Sequence, residues 1–300
     1  MATPGTNLLF YDPTAGVGEF YQVAKGQMRQ IGHQDGWRPS WMVIRLISNP
    51  SATERNLAGL LFYGRSDGTL QLYRLHNNNA PWIESTLLLE GWRPGWTDIV
   101  VNGDNSFLCY DRGAGVGELY RIDPGGGSIT LIGRHTGWRT DWDIITSYQF
   151  EGAPSYLFFY ESASGTGEIY TVRSGQISLI SSHTGLPTTW TQIVFGYFGA
   201  KSRIGLLGYS ALLGEGDFYD VTGGSMSRIA ADTGWRTTWS AIVPSYYGGR
   251  GPTGLLFYDA VAATGEIYDV ENGSLSLLSK YEGWRSTWAK ILVSGYVPVG

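Results

Sequence analysis

Cysteine, charge and long apolar runs are scarce in this sequence of 300 residues. Its single cysteine, Cys109, excludes an internal disulfide bond and any cluster of thiolates around a metal ion. Charged residues make up 16% of the chain, against roughly a quarter in most globular domains. Because Cys109 lies in the apolar segment FLCY, we expect its thiol to be buried within a strand.

The few charges are spread along the chain. The net charge is −5, from 21 basic and 26 acidic residues, and no basic cluster occurs. Nucleic acids and anionic membranes are bound through a concentrated cationic surface, so the sequence disfavours both as partners. The N-terminal segment lacks the charged and apolar regions of a signal peptide, and no apolar run approaches the ~20 residues of a membrane helix. We therefore expect a soluble protein without membrane insertion, in a compartment that the sequence leaves unknown.

Glycine, aromatic residues and internal repetition are abundant. The chain contains 43 glycines and 14% aromatic residues, a composition typical of short strands joined by tight turns. Six segments of the type LLFYDPTAGVGEFY align without gaps, each with two tyrosines ten residues apart. Six repeats of about 50 residues fill the chain, which predicts a single domain spanning residues 1–300. The first tyrosines are Tyr11, Tyr63, Tyr110, Tyr160, Tyr209 and Tyr258, and the second are Tyr21, Tyr73, Tyr120, Tyr170, Tyr219 and Tyr268.

Each repeat is interpreted as four short strands bounded by Gly, Asp, Ser or Asn, and no segment has a convincing helical period. Four strands in a repeat of this length are typical of a β-propeller. We therefore predict an all-β fold with six blades, each a four-stranded antiparallel sheet. The chain begins at a second strand and ends at a first strand, TWAKILVSGY. We expect the N- and C-terminal strands to share one blade and close the ring, which removes exposed sheet edges.

Two of the links between strands repeat their residues from blade to blade. One joins strands two and three, as in DPTAGVGE, and the other joins strand four to the next blade, as in GWRPSW. In an antiparallel meander these two links lie at the same end of the sheets, so they predict one repeated face. The link between strands one and two varies freely and is expected on the other face.

The repeated face carries the candidate ligand-binding residues. An indole can lie against the apolar C–H face of a sugar, while Arg donates hydrogen bonds to its hydroxyls and a carboxylate accepts them. One link has Leu186-Pro187 where a Trp-Arg pair would stand, and one blade has Gln71 in place of the acid that opens strand three. The candidates are the pairs Trp37 and Arg38, Trp92 and Arg93, Trp138 and Arg139, Trp235 and Arg236, Trp284 and Arg285, with the acids Glu19, Glu118, Glu168, Asp217 and Glu266.

A packing interpretation of the same residues stays open, because each Arg can stack on a ring and pair with a carboxylate, tying adjacent blades together. The acids that open the turn after strand two are expected to be turn formers; they are Asp12, Asp111, Glu161 and Asp259. A second tryptophan opens strand one in every repeat, and we expect it to fill the wedge between blades. This set comprises Trp41, Trp96, Trp142, Trp190, Trp239 and Trp288.

No catalytic, metal or cofactor site is predicted. His33, His135 and His183 lie in separate repeats and His76 stands apart, so they do not form a metal site. The acids are spread evenly, without the single carboxylate pair of a glycoside hydrolase or a Gly-x-Ser-x-Gly elbow. One catalytic centre breaks the symmetry of a ring whereas multivalent binding preserves it. We therefore expect a multivalent binding protein that is not an enzyme.

The GW links and the segments LLFYDxxGxGEFYxV resemble the tachylectin-type and related bacterial propeller lectins over all six repeats. Six blades with Arg, Glu and Trp also resemble the fungal fucose-binding propellers, although the order of these residues along the repeat differs. The resemblance implies a lectin that binds glycans or glycoconjugates at monosaccharide level, without catalysis and without a metal. The alternatives are a non-catalytic protein-interaction scaffold or targeting module and, less favoured, a glycoside hydrolase. The oligomeric state stays open.

Overall fold

The computed structural model describes residues 5–48, 58–76, 82–102, 105–123, 127–149, 155–198 and 203–297. All regular elements in these ranges are β-strands, which form six antiparallel sheets of four strands each. The predicted all-β fold, a six-bladed β-propeller, is confirmed. The same ranges contain no helix long and apolar enough to cross a membrane.

Each sheet is called a blade, and its strands are given in order from first to fourth. Blade 1 consists of β24 (Lys290–Val297), β1 (Gly5–Asp12), β2 (Val17–Ala24) and β3 (Gln27–Gln34). Blade 2 consists of β4 (Val43–Ser48), β5 (Ala58–Gly64), β6 (Thr69–His76) and β7 (Trp82–Leu89). Blade 3 consists of β8 (Asp98–Val101), β9 (Ser106–Asp111), β10 (Val116–Ile122) and β11 (Ile129–Thr136).

The remaining three blades follow the same order. Blade 4 consists of β12 (Ile144–Gln149), β13 (Ser155–Glu161), β14 (Thr166–Arg173) and β15 (Gln176–His183). Blade 5 consists of β16 (Gln192–Gly196), β17 (Gly205–Ser210), β18 (Glu215–Thr222) and β19 (Ser225–Thr233). Blade 6 consists of β20 (Trp239–Ser245), β21 (Gly254–Asp259), β22 (Thr264–Glu271) and β23 (Ser274–Glu282).

The two ends of the chain meet in blade 1. Strand β24 pairs antiparallel with β1, placing Phe10 opposite Ile291 and Leu8 opposite Val293. A register shift occurs between Asn7 and Leu8. The predicted closure of the ring by the N- and C-terminal strands is therefore confirmed.

The chain divides into two compact units. One comprises residues 1–35, 162–165 and 183–300, and includes blades 1, 5 and 6. The other comprises residues 36–161 and 166–182, and includes blades 2 and 3 and most of blade 4. The single domain expected from the repeats stays a prediction.

The second strand of each blade is apolar on both faces because it is covered on both sides. In β9, the side chains of Phe107, Leu108, Cys109 and Tyr110 are fully buried. The expected burial of Cys109 is confirmed, and burial raises the pKa of its thiol well above the ordinary value. A buried protonated thiol of this kind behaves as a small apolar side chain.

Of the six second tryptophans, Trp96, Trp142, Trp239 and Trp288 each pack between two neighbouring blades, as predicted. All six of these indoles are buried, with 1–7% of their surface exposed. Trp96 packs in one cluster with Tyr63 of blade 2 and Phe107 of blade 3, and Trp239 packs in another with Tyr209 of blade 5 and Phe257 of blade 6. Burying an indole removes roughly 150–250 Å² from water, so each contact is a large contribution to blade association.

The first tyrosine of a repeat holds the link that leads to the next blade. The hydroxyl of Tyr209 donates to the carbonyl of Arg236 at 2.6 Å, and that of Tyr258 donates to the carbonyl of Arg285 at 2.6 Å. Tyr63 makes the same bond to the carbonyl of Arg93 at 2.8 Å. The buried hydroxyl explains why these positions are tyrosine and not phenylalanine, since a buried carbonyl without a donor is costly.

Replacing Tyr258 by phenylalanine is expected to lower the free energy of unfolding by ~1–3 kcal/mol, because the Arg285 carbonyl loses its donor without a compensating partner. Urea unfolding followed by tryptophan fluorescence measures the change. Tyr246→Phe is the matched control, since the Tyr246 hydroxyl bonds to no residue in the described ranges. Equal stability of the two variants would show that the tyrosine hydroxyls do not hold the links.

Candidate functional site

The two repeated links contact each other directly, as the predicted shared face requires. The backbone N–H of Trp235 donates to the carbonyl of Gly214 at 2.9 Å, and that of Trp138 donates to the carbonyl of Gly115 at 3.0 Å. Gly214 has a φ of +64°, and a Cβ there would lie 2.4 Å from the Trp235 carbonyl oxygen. Glycine favours this left-handed turn and the close approach of the two chains, although Ala263 holds the same turn in blade 6 with a φ of +54°.

The arginine of each Trp-Arg pair reaches an acid in the blade that follows it. Arg93 lies 3.0 Å from Glu118 and 3.2 Å from Asp111. Arg285 lies 2.8 Å from Glu19, and Arg236 pairs with Glu266. The acid that completes each site thus comes from the next blade, so Trp235 and Arg236 share their site with Glu266 and not with Asp217.

The same guanidinium groups stack on the second tryptophan of their own link. The distance from the arginine carbon Cζ to the indole centroid ranges from 3.8 Å for Arg93 on Trp96 to 5.4 Å for Arg38 on Trp41. A cation over an indole contributes roughly 0.5–2 kcal/mol. The arginines therefore make the contacts that the packing interpretation requires. Their guanidinium groups are also partly exposed, so some hydrogen-bond donors are accessible to a ligand.

The second tyrosine of a repeat donates to the acid that opens strand three. The hydroxyl of Tyr268 donates to Glu266 Oε2 at 2.5 Å, and that of Tyr120 donates to Glu118 Oε2 at 2.6 Å. Burial raises the pKa of Tyr268 well above its ordinary value, and the hydrogen bond to Glu266 raises it further. This tyrosine therefore stays protonated and holds the carboxylate in one orientation. This tyrosine was not among the predicted site residues, although it follows the acid by two positions in the sequence.

Three blades depart from this arrangement. In blade 4, Arg139 pairs with Asp141 at 2.9 Å and with Glu161 at 3.1 Å, and Glu168 accepts its hydrogen bond from Tyr170. In blade 2, Arg38 lies 3.3 Å from Asp67, while Gln71 donates to Ser85.

Blade 5 follows the link with Leu186 and Pro187 and has a different cation. Asp217 accepts a hydrogen bond from the indole N–H of Trp190 at 3.0 Å and pairs with Arg228 on the outer strand β19. Arg228 thus supplies the positive charge that the link lacks. Nothing in the repeat pattern pointed to it, because it lies at a position occupied by other residue types in the other blades.

The acids at the turns after strand two are turn formers, as predicted, in the three blades where they are aspartate. Asp259 Oδ1 accepts the N–H groups of Val261 and Ala262, and Asp12 Oδ1 accepts those of Thr14 and Ala15. The Asp111 side chain accepts the N–H of Ala114 in the same way. Glu161 instead pairs with Arg139.

The indoles of the first tryptophans differ in what stacks on them. Tyr209 stacks on Trp235 at 6.0 Å and Tyr258 stacks on Trp284 at 6.0 Å. Trp284 has a second stacked ring, Tyr281, at 5.8 Å with an interplanar angle of 27°.

The residue three positions before the tryptophan decides whether a second ring is present. His135 stacks on Trp138 at 5.4 Å with an angle of 25°, in the way that Tyr281 stacks on Trp284. The residue at this position before Trp235 is Asp232, which has no ring. The Trp235 indole therefore lacks the second stacked ring of Trp138 and Trp284.

A cavity of about 430 Å³ lies beside Trp235, between blades 5 and 6. Three predicted site residues line it together: Trp235, Arg236 and Glu266. Sequence reasoning missed the others. The full lining is Asp232, Thr233, Gly234, Trp235, Arg236, Trp239, Phe257, Glu266, Tyr268 and Leu275. The arrangement combines aromatic surface with donors and acceptors, which suits a small polar ligand that has apolar patches.

The histidines each have a local partner. His33 Nε2 lies 2.8 Å from Asp35, and its Nδ1 lies 3.7 Å from Glu19. His76 lies 2.8 Å from Glu84, and His183 bonds to the Gly224 carbonyl. Among the described residues, no group of three or more His, Cys, Asp or Glu side chains could hold a metal ion.

Comparison with known proteins identifies the fold and not the family. No family model and no curated protein sequence matches the chain. A candidate 6-phosphogluconolactonase of Bacteroides fragilis aligns with a TM-score of 0.61 and 10% identity, over 98% of both chains. The periplasmic gluconolactonase of Pseudomonas aeruginosa aligns with a TM-score of 0.57 and 12% identity, over 94% of this chain and 80% of its own. A chain of a nidogen–laminin complex aligns with a TM-score of 0.54 and 11% identity, over 97% of this chain and 98% of its own.

The resemblance to tachylectin-type lectins finds no support in these matches and stays a prediction.

One expectation is corrected by these neighbours. The even repetition of the acids led us to expect that the chain is not an enzyme. Two of its structural neighbours are named as lactonases, so this architecture occurs in proteins named as enzymes. The exclusion of catalysis from the repetition of the blades is therefore wrong.

The Asp259 carboxylate is expected to make the stability of the protein pH-dependent. Burial raises the pKa of Asp259, but the hydrogen bonds from Thr238, Ala262 and Val261 outweigh it and hold the pKa below its ordinary value. A lowered pKa in the folded state stabilises the fold above the unfolded-state pKa, and this stabilisation is lost as the pH falls through the folded-state pKa.

Asp259→Asn should therefore be less stable than the wild type at pH 7, with the difference narrowing between pH 4 and pH 2. Urea unfolding at a series of pH values measures both curves. Two curves that stay parallel through the acid range would rule out this role for Asp259.

Proposed function

We propose that the protein binds carbohydrates, and that the cavity beside Trp235 is its principal site. One observation carries the proposal: the cavity brings an indole, a tyrosine and an Arg-Glu pair together, at a tryptophan that lacks the second stacked ring of Trp138 and Trp284. Its volume of about 430 Å³ lies within the range of small-molecule sites.

The chemistry of the lining fits a sugar ring. The apolar C–H face of a sugar can lie on the Trp235 indole, as aromatic faces bury apolar surface at low entropic cost. Arg236 has five N–H donors, and only part of them are used by Glu266 and Thr264. Glu266 accepts one bond on each oxygen, from Arg236 and Tyr268, and each oxygen retains a lone pair for a sugar hydroxyl.

The sites of three other Trp-Arg pairs, those with Trp37, Trp138 and Trp284, would be weaker under this proposal. Trp284 and Trp138 have a second stacked ring, and Trp37 is buried. A lectin with one stronger site and several weak ones still gains avidity on a surface that presents many glycans. The names of the lactonase neighbours add support for a sugar-related ligand, since gluconolactone is a sugar derivative.

The test is a glycan array probed at high protein density with the wild type and Asp232→Tyr. We expect the substitution to place a ring on Trp235, as Tyr281 does on Trp284, and to reduce array binding at least tenfold. The melting temperature should stay within a few degrees, because Asp232 is at the surface end of β19. Thermal unfolding of the variant checks that it is folded.

The matched control is Gln34→Tyr, which introduces the same ring at the same position before Trp37. Since Trp37 is already buried, this variant should bind as the wild type does. Undiminished binding by a folded Asp232→Tyr protein would refute the assignment of this cavity. Silence of the wild type on the whole array would favour a protein-interaction scaffold instead.

Hydrolysis of a sugar lactone is a second candidate, favoured by the lactonase neighbours. Such a reaction adds water to the lactone carbonyl and opens the ring to the hydroxy acid. His33 is the candidate to take a proton from water, because Asp35 orients its ring at 2.8 Å and its Nδ1 lies 3.7 Å from Glu19, which pairs with Arg285.

If this second candidate is correct, the wild type hydrolyses glucono-δ-lactone faster than the spontaneous reaction, and His33→Gln lowers the enzymatic rate by about 10²-fold or more. A pH-stat assay measures the acid released. His76→Gln is the control, since His76 has a similar carboxylate partner at 2.8 Å in another blade. A wild-type rate equal to the spontaneous rate would eliminate this candidate.

A further inference from the structure

Three exposed aliphatic side chains lie in two turns that are bonded to residues of the Trp235 cavity. Leu212 and Leu213 lie in the turn between β17 and β18, with 74% and 54% of their surfaces exposed. Val261 lies in the turn between β21 and β22 and is 81% exposed. We call these three residues the apolar rim.

Both turns are bonded to residues that line the cavity. Gly214, which follows Leu213, accepts the N–H of Trp235 at 2.9 Å. Arg236 lies 3.5 Å from Asp259 and donates to Thr264 at 2.9 Å. These two residues flank the turn that carries Val261. The turns that carry the rim are therefore tied to the cavity residues Trp235 and Arg236, one turn from blade 5 and one from blade 6.

The apolar rim is not needed to form the turns. The corresponding turns of the other four blades have small or polar residues at these positions. They form the same kind of turn, as the matching registers of the strands on either side show. The residues concerned are Thr14 and Ala15, Ser66 and Asp67, Gly113 and Ala114, and Ala163 and Ser164. Large aliphatic side chains thus occur only in the two blades that border this cavity.

We propose that the cavity takes a glycoside with an apolar aglycone, such as an alkyl or acyl chain. The sugar lies in the cavity against Trp235, and the chain lies on Leu212, Leu213 and Val261. Removing these exposed side chains from water favours binding in proportion to the apolar area covered, at roughly 25 cal/mol per Å². This inference rests on the proposed carbohydrate function and specifies its ligand class.

The experiment compares methyl and n-octyl glycosides of glucose, galactose, mannose and fucose by isothermal titration calorimetry. The octyl compounds are kept below their micelle concentration. For the sugar that binds, we expect the octyl glycoside to bind at least tenfold more tightly than the methyl glycoside. The triple variant L212S/L213S/V261T should reduce this ratio to less than threefold and leave the affinity for the methyl glycoside unchanged.

The control variant is Leu131→Ser with Leu179→Ser, two aliphatic residues that are exposed to a similar degree, 49% and 54%, on outer strands. It should keep the full octyl-to-methyl ratio. Binding of a sugar-free octyl detergent as tight as that of the octyl glycoside would overturn the inference in favour of apolar adsorption.

The remaining outcomes separate the two proposals. If a methyl glycoside binds but the octyl chain adds no affinity, or if the triple variant retains the added affinity, the role of the apolar rim is refuted. The proposed carbohydrate function would still stand. If no methyl or octyl glycoside binds, the carbohydrate function itself fails.

Discussion

The tryptophan that opens the first strand of each blade is the contact on which the propeller depends. Trp96, Trp142, Trp239 and Trp288 lie between two blades, against aromatic residues of strand two. In the five links that have a Trp-Arg pair, the arginine stacks on this indole and pairs with an acid of the following blade. Packing and electrostatics are therefore joined at one point in each of these five links. The arginines of these pairs are 31–46% exposed, and a partly exposed ion pair contributes ~1 kcal/mol or less, so we assign the larger share of the stabilisation to the buried indole.

The two tryptophans of one link motif lie in different environments. The link GWRTTW places Trp239 in the core, whereas Trp235 and Arg236 lie at the border between core and surface. The residue three positions before Trp235 places no ring on the indole, and a cavity lies beside it. Asp232 lacks a ring, whereas Tyr281 and His135 stack on their indoles. The blades can therefore share an architecture and still differ in the surface beside the first tryptophan.

Much of the fold could be predicted from the sequence, because a repeat with two tyrosines at fixed spacing determines the number of blades and their strands. The closure of the ring followed from where the chain begins and ends within a repeat.

The candidate site was predicted only in part. Trp235 and Arg236 share their site with Glu266 because their link contacts the blade that follows it. The repeat pattern does not show which of the two flanking blades supplies the acid. Asp232 and Arg228 were missed because their positions carry different residue types in different repeats, so no repeated pattern marks them. The exclusion of an enzyme failed for a different reason, since repetition describes the scaffold and not its sites.

The central claim is that the indole of Trp235 is the platform for a sugar. A crystal structure of the protein soaked with a sugar that the array selects tests it most directly. The claim predicts a sugar ring within ~4 Å of the Trp235 indole, hydrogen-bonded to Arg236, Glu266 or Asp232. A sugar bound only at Trp284, or only on the face opposite the repeated links, would contradict it.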